Sequence, residues 1–107
     1  MTEHRAKKNG RYFTWAAGGP FKSAMVNIYD RRPGEPYDKL TMDSSFPIGR
    51  IYLYSSGRVV ESNFFYTMPC RVVVAHRQRL DEIRIEVLNL AAANIEVTVC
   101  PNLNARL

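Results

Sequence analysis

The side chains of this sequence that are best suited to chemistry are few and scattered along the chain. His76 ends the apolar segment VVVAH, and His4 lies in a polar N-terminal stretch. Asp38 and Asp43 flank KLTM and come nearest to a carboxylate pair. General acid–base catalysis also needs a positioned partner such as histidine, and the neighbouring sequence supplies none. We therefore predict that the protein is not an enzyme.

The two cysteines lack the spacing of a metal or redox site. Cys70 and Cys100 are separated by 29 residues, whereas such sites commonly use a C-x-x-C pair. We predict no metal and no cofactor. Thiols stay reduced in the cytoplasm, which favours two free cysteines, with a disulfide between them as the alternative.

The composition predicts a globular protein of the cytoplasm. Of its 107 residues, 46% are hydrophobic and 23% are charged, which is ordinary for one folded domain. The N-terminal residues MTEHRAKKNG lack the apolar core of a signal peptide. No apolar run approaches the roughly 18 residues of a membrane span. We expect a cytoplasmic protein, or one within a particle assembled there, without membrane contact.

Positive charge is concentrated at the N-terminus. The formal net charge is +5, and residues 1–11 carry four basic side chains against one acidic, whereas the rest carries eleven against nine. A short basic segment with little apolar content is typical of a disordered tail that orders on binding. We predict a flexible arm over residues 1–10, with Arg5, Lys7 and Lys8 as its contacts, and one β-sandwich domain over residues 11–107.

Alternating apolar and polar residues predict strands along most of the chain. In IRIEV, Ile83, Ile85 and Val87 share one face, and IEVTVC repeats the pattern with its polar residues facing outward. These segments predict a C-terminal hairpin, and IYLY with VVESNFFYTM predicts a second one. With about seven short strands, we predict an all-β fold. Its architecture is a small antiparallel β-sandwich, or alternatively a partly open barrel.

A helix is the alternative for residues 80–92. Leu80, Ile83, Val87 and Leu90 fall at helical spacing, and LAAAN has high helix propensity. Ile85 lies off that stripe, and β-branched residues favour a strand. A strand is our prediction.

Residues 30–49 form the one long irregular segment. Pro33-Gly34 suits the central positions of a type II turn, and further prolines oppose a regular ladder. Long loops in small domains are commonly functional. We predict a contact loop from Arg31 to Phe46, which begins with the basic pair Arg31 and Arg32.

The stretch SNFFYTMPC places three aromatic residues side by side. Alternation assigns Phe64 to the apolar face of its strand and Phe65 to the polar face. A bulge near Pro69 would exchange the two. We predict that Phe64 lies in the core and that Phe65 marks a contact surface, with a strand that is covered on both sides as the alternative.

Surplus aromatics, a basic arm and a proline-rich loop together predict a structural or assembly subunit. Such a subunit acts through contacts in a homo-oligomer or with neighbouring subunits, for example as a virion component such as a capsid decoration or tail accessory protein. Aromatic and arginine residues are enriched in such interfaces. The predicted interface aromatics are Trp15, Phe21, Tyr52, Tyr54 and Phe65.

A single-stranded nucleic-acid-binding β-barrel is the alternative function. Such proteins combine basic grooves with aromatic faces on which bases stack. Tyr52 and Tyr54 would form the stacking surface, and Arg71 and Arg77 the basic one. The basic arm also makes nucleic acid a candidate partner, but the remaining chain is nearly neutral, which favours the assembly hypothesis.

Overall fold

The computed structural model describes residues 3–16, 21–30, 46–64, 68–75, 80, 82–88 and 95–102, and its regular elements there are all β-strands. Nine strands are formed in this part of the chain, where the sequence predicted about seven. They are β1 (His4–Arg5), β2 (Lys7–Asn9), β3 (Tyr12–Ala16), β4 (Ser23–Asp30), β5 (Gly49–Tyr54), β6 (Val59–Asn63), β7 (Cys70–Ala75), β8 (Glu82–Val87) and β9 (Ile95–Asn102).

The strands form two antiparallel sheets, which confirms the predicted all-β fold and agrees with the sandwich. The larger sheet has the order β1-β9-β4-β5-β6, and the smaller has the order β2-β3-β8-β7. The two do not join into a closed barrel over the described strands. β8 is a strand, so the helical alternative is wrong for the residues that it covers. The predicted pairing of the last two strands is also wrong, because β8 and β9 lie in different sheets.

The core lies between the inner faces of the two sheets. As predicted, Ile83, Ile85 and Val87 are all buried on one face of β8. The facing residues of the larger sheet alternate in the same way, because successive side chains of a strand point to opposite faces. They include Ala24, Val26, Ile28, Ile51, Leu53, Val97 and Val99.

β9 departs from the predicted half-buried pattern. Its outward-facing residues Glu96, Thr98 and Cys100 are buried too, like the apolar residues between them. Alternation in the sequence gives the face of a residue but not whether that face is covered. The expectation that these side chains meet solvent is therefore wrong.

The N-terminal segment is part of the sandwich rather than a free arm. His4–Arg5 pairs with β9 in the larger sheet, and Lys7–Asn9 pairs with β3 in the smaller. Between them Ala6 is buried, and its N–H donates to the carbonyl of Val97 at 3.0 Å. The predicted flexible arm is thus wrong for residues 3–10, because backbone pairing holds this polar segment in both sheets.

β6 ends earlier than the sequence predicted. It stops at Asn63, and the N–H of Phe64 donates to the carbonyl of Ile48 at 3.0 Å. Phe64 is 48% exposed, so its assignment to the core is wrong. Phe65 lies outside the described residues.

Two glycines serve the backbone geometry directly. Gly57 lies in the turn between β5 and β6 with a φ of 91°, a region that other residues rarely adopt. Gly49 lies beneath the buried thioether of Met68, which occupies the space that a Cβ at this position would need. A side chain at Gly49 would therefore displace Met68 from the core.

No helix in the described part of the chain is long and apolar enough to cross a membrane.

A matched pair of valine substitutions tests this assignment of core and surface. Val97→Ala removes two buried carbons from the middle of β9 and should lower the free energy of unfolding by about 2 kcal/mol or more. Val59→Ala, at a position that is 43% exposed, should change it by less than about 0.5 kcal/mol. Chemical denaturation of both variants measures the difference, and equal effects would contradict the assignment.

Candidate functional site

The N-terminal strands border a cleft of about 600 Å³ where the chain passes from one sheet to the other. Apolar and charged side chains both contribute to its walls. The apolar ones are Ala6, Phe13 and Ile95, and the charged ones are Arg5, Lys7, Lys8 and Glu96. The three basic residues predicted as contacts are thus brought together in one place. We call this site the basic cleft.

The charges of the basic cleft do not cancel. The guanidinium of Arg5 lies 3.7 Å from the carboxylate of Glu96, whose side chain is only 5% exposed. A carboxylate buried to this degree needs a cation nearby, so Arg5 helps to offset the cost of its burial. The Lys8 ammonium lies over the ring of Phe13, 5.6 Å from its centroid. With Lys7, the described residues of the cleft include three cations and one anion.

The outer face of the larger sheet carries a row of polar side chains. Cross-strand pairing places Arg5, Thr98, Asn27, Arg50 and Ser62 side by side across its five strands. The Arg50 Nε donates to the Asn27 amide oxygen at 2.7 Å, which satisfies a buried polar group. This hydrogen bond holds the Arg50 side chain against its own sheet.

Both thiols are held in their protonated form. Burial raises the pKa of the Cys70 thiol to about 12, although the nearby Lys8 ammonium acts to lower it. Burial and then the Glu3 carboxylate raise the pKa of the Cys100 thiol, which donates to Glu3 across 3.8 Å. The thiolate is the reactive form, so neither group is prepared as a nucleophile near pH 7.

Both cysteines are free in the structure. Cys70 lies in the core between the sheets, and Cys100 lies on the outer face of the larger sheet. Among the described residues, no three histidine, cysteine or acidic side chains come together as metal ligands.

The opposite side of the sandwich has a second cleft, of about 380 Å³, between the edge strands β6 and β7. Buried Leu53 and Leu80 contribute apolar surface, and Arg58, Glu61 and Arg71 contribute charge. We call β6, β7 and this cleft the open side.

Four valines on the two edge strands of the open side face solvent. Val59 and Val60 on β6 are 43% and 38% exposed, and Val73 and Val74 on β7 are 44% and 43% exposed. The register of β7 shifts between Val72 and Val74, as at a β-bulge. The sequence pattern alone did not mark these residues as a surface. Successive side chains of a strand point to opposite faces, so two or three consecutive valines place at least one on the outer face. This pattern in the sequence could have indicated the exposed valines.

Two of the predicted interface aromatics lie inside the fold or against it. Trp15 is buried between the sheets, so its assignment to a contact surface is wrong. Its ring lies 6.1 Å from that of His4 and 5.5 Å from that of Phe21. Phe21 is half-buried and packs against the core. A large aromatic side chain stabilises a fold strongly when it is buried, and Trp15 and Phe21 both pack in this way.

The residues of the predicted nucleic-acid site belong to two sheets, although Tyr54 and Arg71 both line the cleft of the open side. Tyr52 and Tyr54 alternate with core residues of β5 and belong to the outer face of the larger sheet. Arg58 already covers the Tyr54 ring at 4.4 Å. Arg71 belongs to the outer face of the smaller sheet, where it pairs with Glu86 at 3.1 Å.

Several predicted contacts lie outside the described residues. These are Arg31, Arg32, Phe65 and Arg77. Of the predicted contact loop only its last residue, Phe46, is described, and it is 52% exposed.

Comparison of the chain with protein families, with curated proteins and with solved structures finds no match.

The Cys100–Glu3 contact gives a prediction about thiol reactivity. Glu3→Gln removes the negative charge that opposes ionisation, so the pKa of Cys100 should fall and the thiolate fraction at pH 8 should rise. Alkylation of Cys100 with iodoacetamide, followed by peptide mass spectrometry, should therefore be faster than in the parent protein. Glu82→Gln, which replaces an exposed glutamate on β8, should leave the rate unchanged. Equal rates in all three proteins would contradict the contact.

Proposed function

We propose that the protein is a non-enzymatic structural subunit that assembles with further copies of itself through the open side. The observation that supports this is the difference between the two sides of the sandwich. The N-terminal side ends in charged strands, whereas the open side ends in strands that expose valines.

Edge strands are places where a folded protein can pair with another chain. Their free N–H and C=O groups accept a further strand, and soluble proteins commonly protect them with charged side chains, above all lysine. β1 and β2 follow this rule, since they carry Arg5, Lys7 and Lys8. The charges on β1 and β2 are therefore expected to prevent a second copy from pairing with these edges.

The open side lacks this density of charge. Val59 of β6 and Val73 of β7 line a cleft with buried leucines in its walls, and Val60 and Val74 are exposed on the outer faces of the same two strands. Exposed apolar residues that lie together on one side of a protein commonly mark an interaction surface. Phe64, which follows the end of β6, is also half-exposed, and Arg50 lies over its ring at 5.4 Å.

Charged residues around the cleft suit the rim of an interface. Arg58, Glu61 and Arg71 carry both signs of charge, and stable interfaces surround an apolar centre with such polar groups. A second copy presents the same mixture, so opposite charges are available for pairing across a symmetric contact. We further propose that the assembly of which this subunit is part is a virion, in which it would serve as a capsid decoration or tail accessory protein.

The non-enzymatic part of the proposal rests on the scattered polar residues of the sequence and on the two protonated thiols. Nucleic-acid binding is the less favoured function, because Arg58 already covers the Tyr54 ring and Arg71 is paired with Glu86.

The oligomeric state tests the proposal. Size-exclusion chromatography with light scattering should give a mass that exceeds the monomer value of 12.3 kDa and rises with protein concentration. The double variant Val59→Lys/Val73→Lys should shift the mass toward the monomer, because it places charge on both edges of the open side. Its melting temperature should change little, since both positions are exposed.

The matched control is Thr14→Lys, which adds the same side chain in place of another β-branched residue. Thr14 is exposed on β3, away from the open side. This variant should assemble like the parent. A parent protein that stays monomeric at high concentration would overturn self-assembly, and equal losses in both variants would overturn the choice of surface.

A further inference from the structure

We propose that the basic cleft binds an acidic, extended polypeptide segment that also carries apolar side chains. This site lies on the side of the sandwich away from the open side, so it is separate from the self-assembly surface. Charge, apolar lining and backbone geometry each support it.

The charge of the cleft favours an anionic partner. Lys7 and Lys8 belong to a strand that is exposed throughout, and Arg5 is 56% exposed despite its pairing with Glu96. Two cations therefore remain beyond the one that Glu96 offsets. Opposite charge on a partner would increase the rate of encounter and select against basic partners.

The apolar lining favours a partner with apolar side chains as well as charge. Ala6, Phe13 and Ile95 line a space of about 600 Å³, which is within the size range of small-ligand sites. An alternating sequence suits this arrangement, because a strand directs successive side chains to opposite faces. One face would enter the cleft, and the other would remain in solvent.

The position of the cleft at two sheet edges favours a polypeptide. β1 and β2 are the outermost strands of their sheets on this side. An extended peptide can add to such an edge by main-chain hydrogen bonds, with pockets selecting its side chains. The lysines would repel the same basic edge of a second copy of the protein. They would attract an acidic strand, so the same residues select between the two partners.

Nucleic acid fits the cleft less well. Single-strand binders rely on exposed aromatic faces for stacking. Phe13, the aromatic residue among the described cleft residues, is 3% exposed and lies beneath Lys8. The apolar walls contribute nothing to phosphate binding.

The test uses fluorescence anisotropy with a labelled peptide of about eight residues, the length of an ordinary strand, that alternates glutamate and valine. The full-length protein should bind it in low salt, and binding should weaken as salt is added. Peptides that alternate lysine with valine, or glutamate with serine, should bind at least about tenfold more weakly, since each lacks one of the two features.

Charge-reversal variants locate the site. Lys7→Glu/Lys8→Glu should weaken binding of the glutamate–valine peptide by about tenfold, whereas Lys22→Glu, which precedes β4, should leave it unchanged. If the double variant melts early, Lys7→Glu alone gives the same comparison at an exposed position. The Val59→Lys/Val73→Lys protein should bind like the parent, so failure of self-assembly and failure of peptide binding are distinguishable.

Three results would overturn the proposal. They are equal binding of the lysine and glutamate peptides, unchanged binding by the lysine variants, and tighter binding of an oligothymidine strand of similar length. The last result would assign the cleft to nucleic acid.

Discussion

The rest of the structure depends on the N-terminal segment, which passes from the larger sheet to the smaller one. Residues 4–9 pair with β9 in one sheet and with β3 in the other, and buried Ala6 marks the crossing. Because one short segment belongs to both sheets, it closes one side of the sandwich and fixes the spacing of the layers there. It also brings Arg5 to the buried carboxylate of Glu96.

This closure makes the two sides of the molecule different. At the N-terminal side the strand edges carry cations and border a cleft with apolar walls. At the other side β6 and β7 end their sheets, and their valines face solvent beside a smaller cleft. On each side these are the outermost of the described strands, so the side chains decide which chains can pair with them. We infer that one side selects acidic chains and the other selects further copies.

Alternation in the sequence was sufficient to predict the fold class and much of the core. Ile83, Ile85 and Val87 were assigned correctly because period-two alternation records which face of a strand is apolar. The basic N-terminal residues gave no such signal. These residues adopt a regular structure because their backbone pairs with β9 and β3. Strand β9 is distant from them in the sequence.

The candidate sites were only partly predictable for the same reason. Arg5, Lys7 and Lys8 stood out as a basic cluster, but the apolar walls beside them come from β3 and β9. Trp15 was misplaced because residue type does not reveal which side chains fill a core. Glu96 was misplaced because the burial of an outer face depends on its surroundings in three dimensions.

Hydrogen exchange measured at increasing protein concentration tests the central claim that the open side is the assembly surface. If the open side is the assembly surface, exchange should slow in peptides covering residues 58–63 and 70–75 as concentration rises, because a neighbouring copy protects these edges. Exchange over residues 4–9 should not change. Slowing over residues 4–9 alone, or no change in either region, would contradict the account.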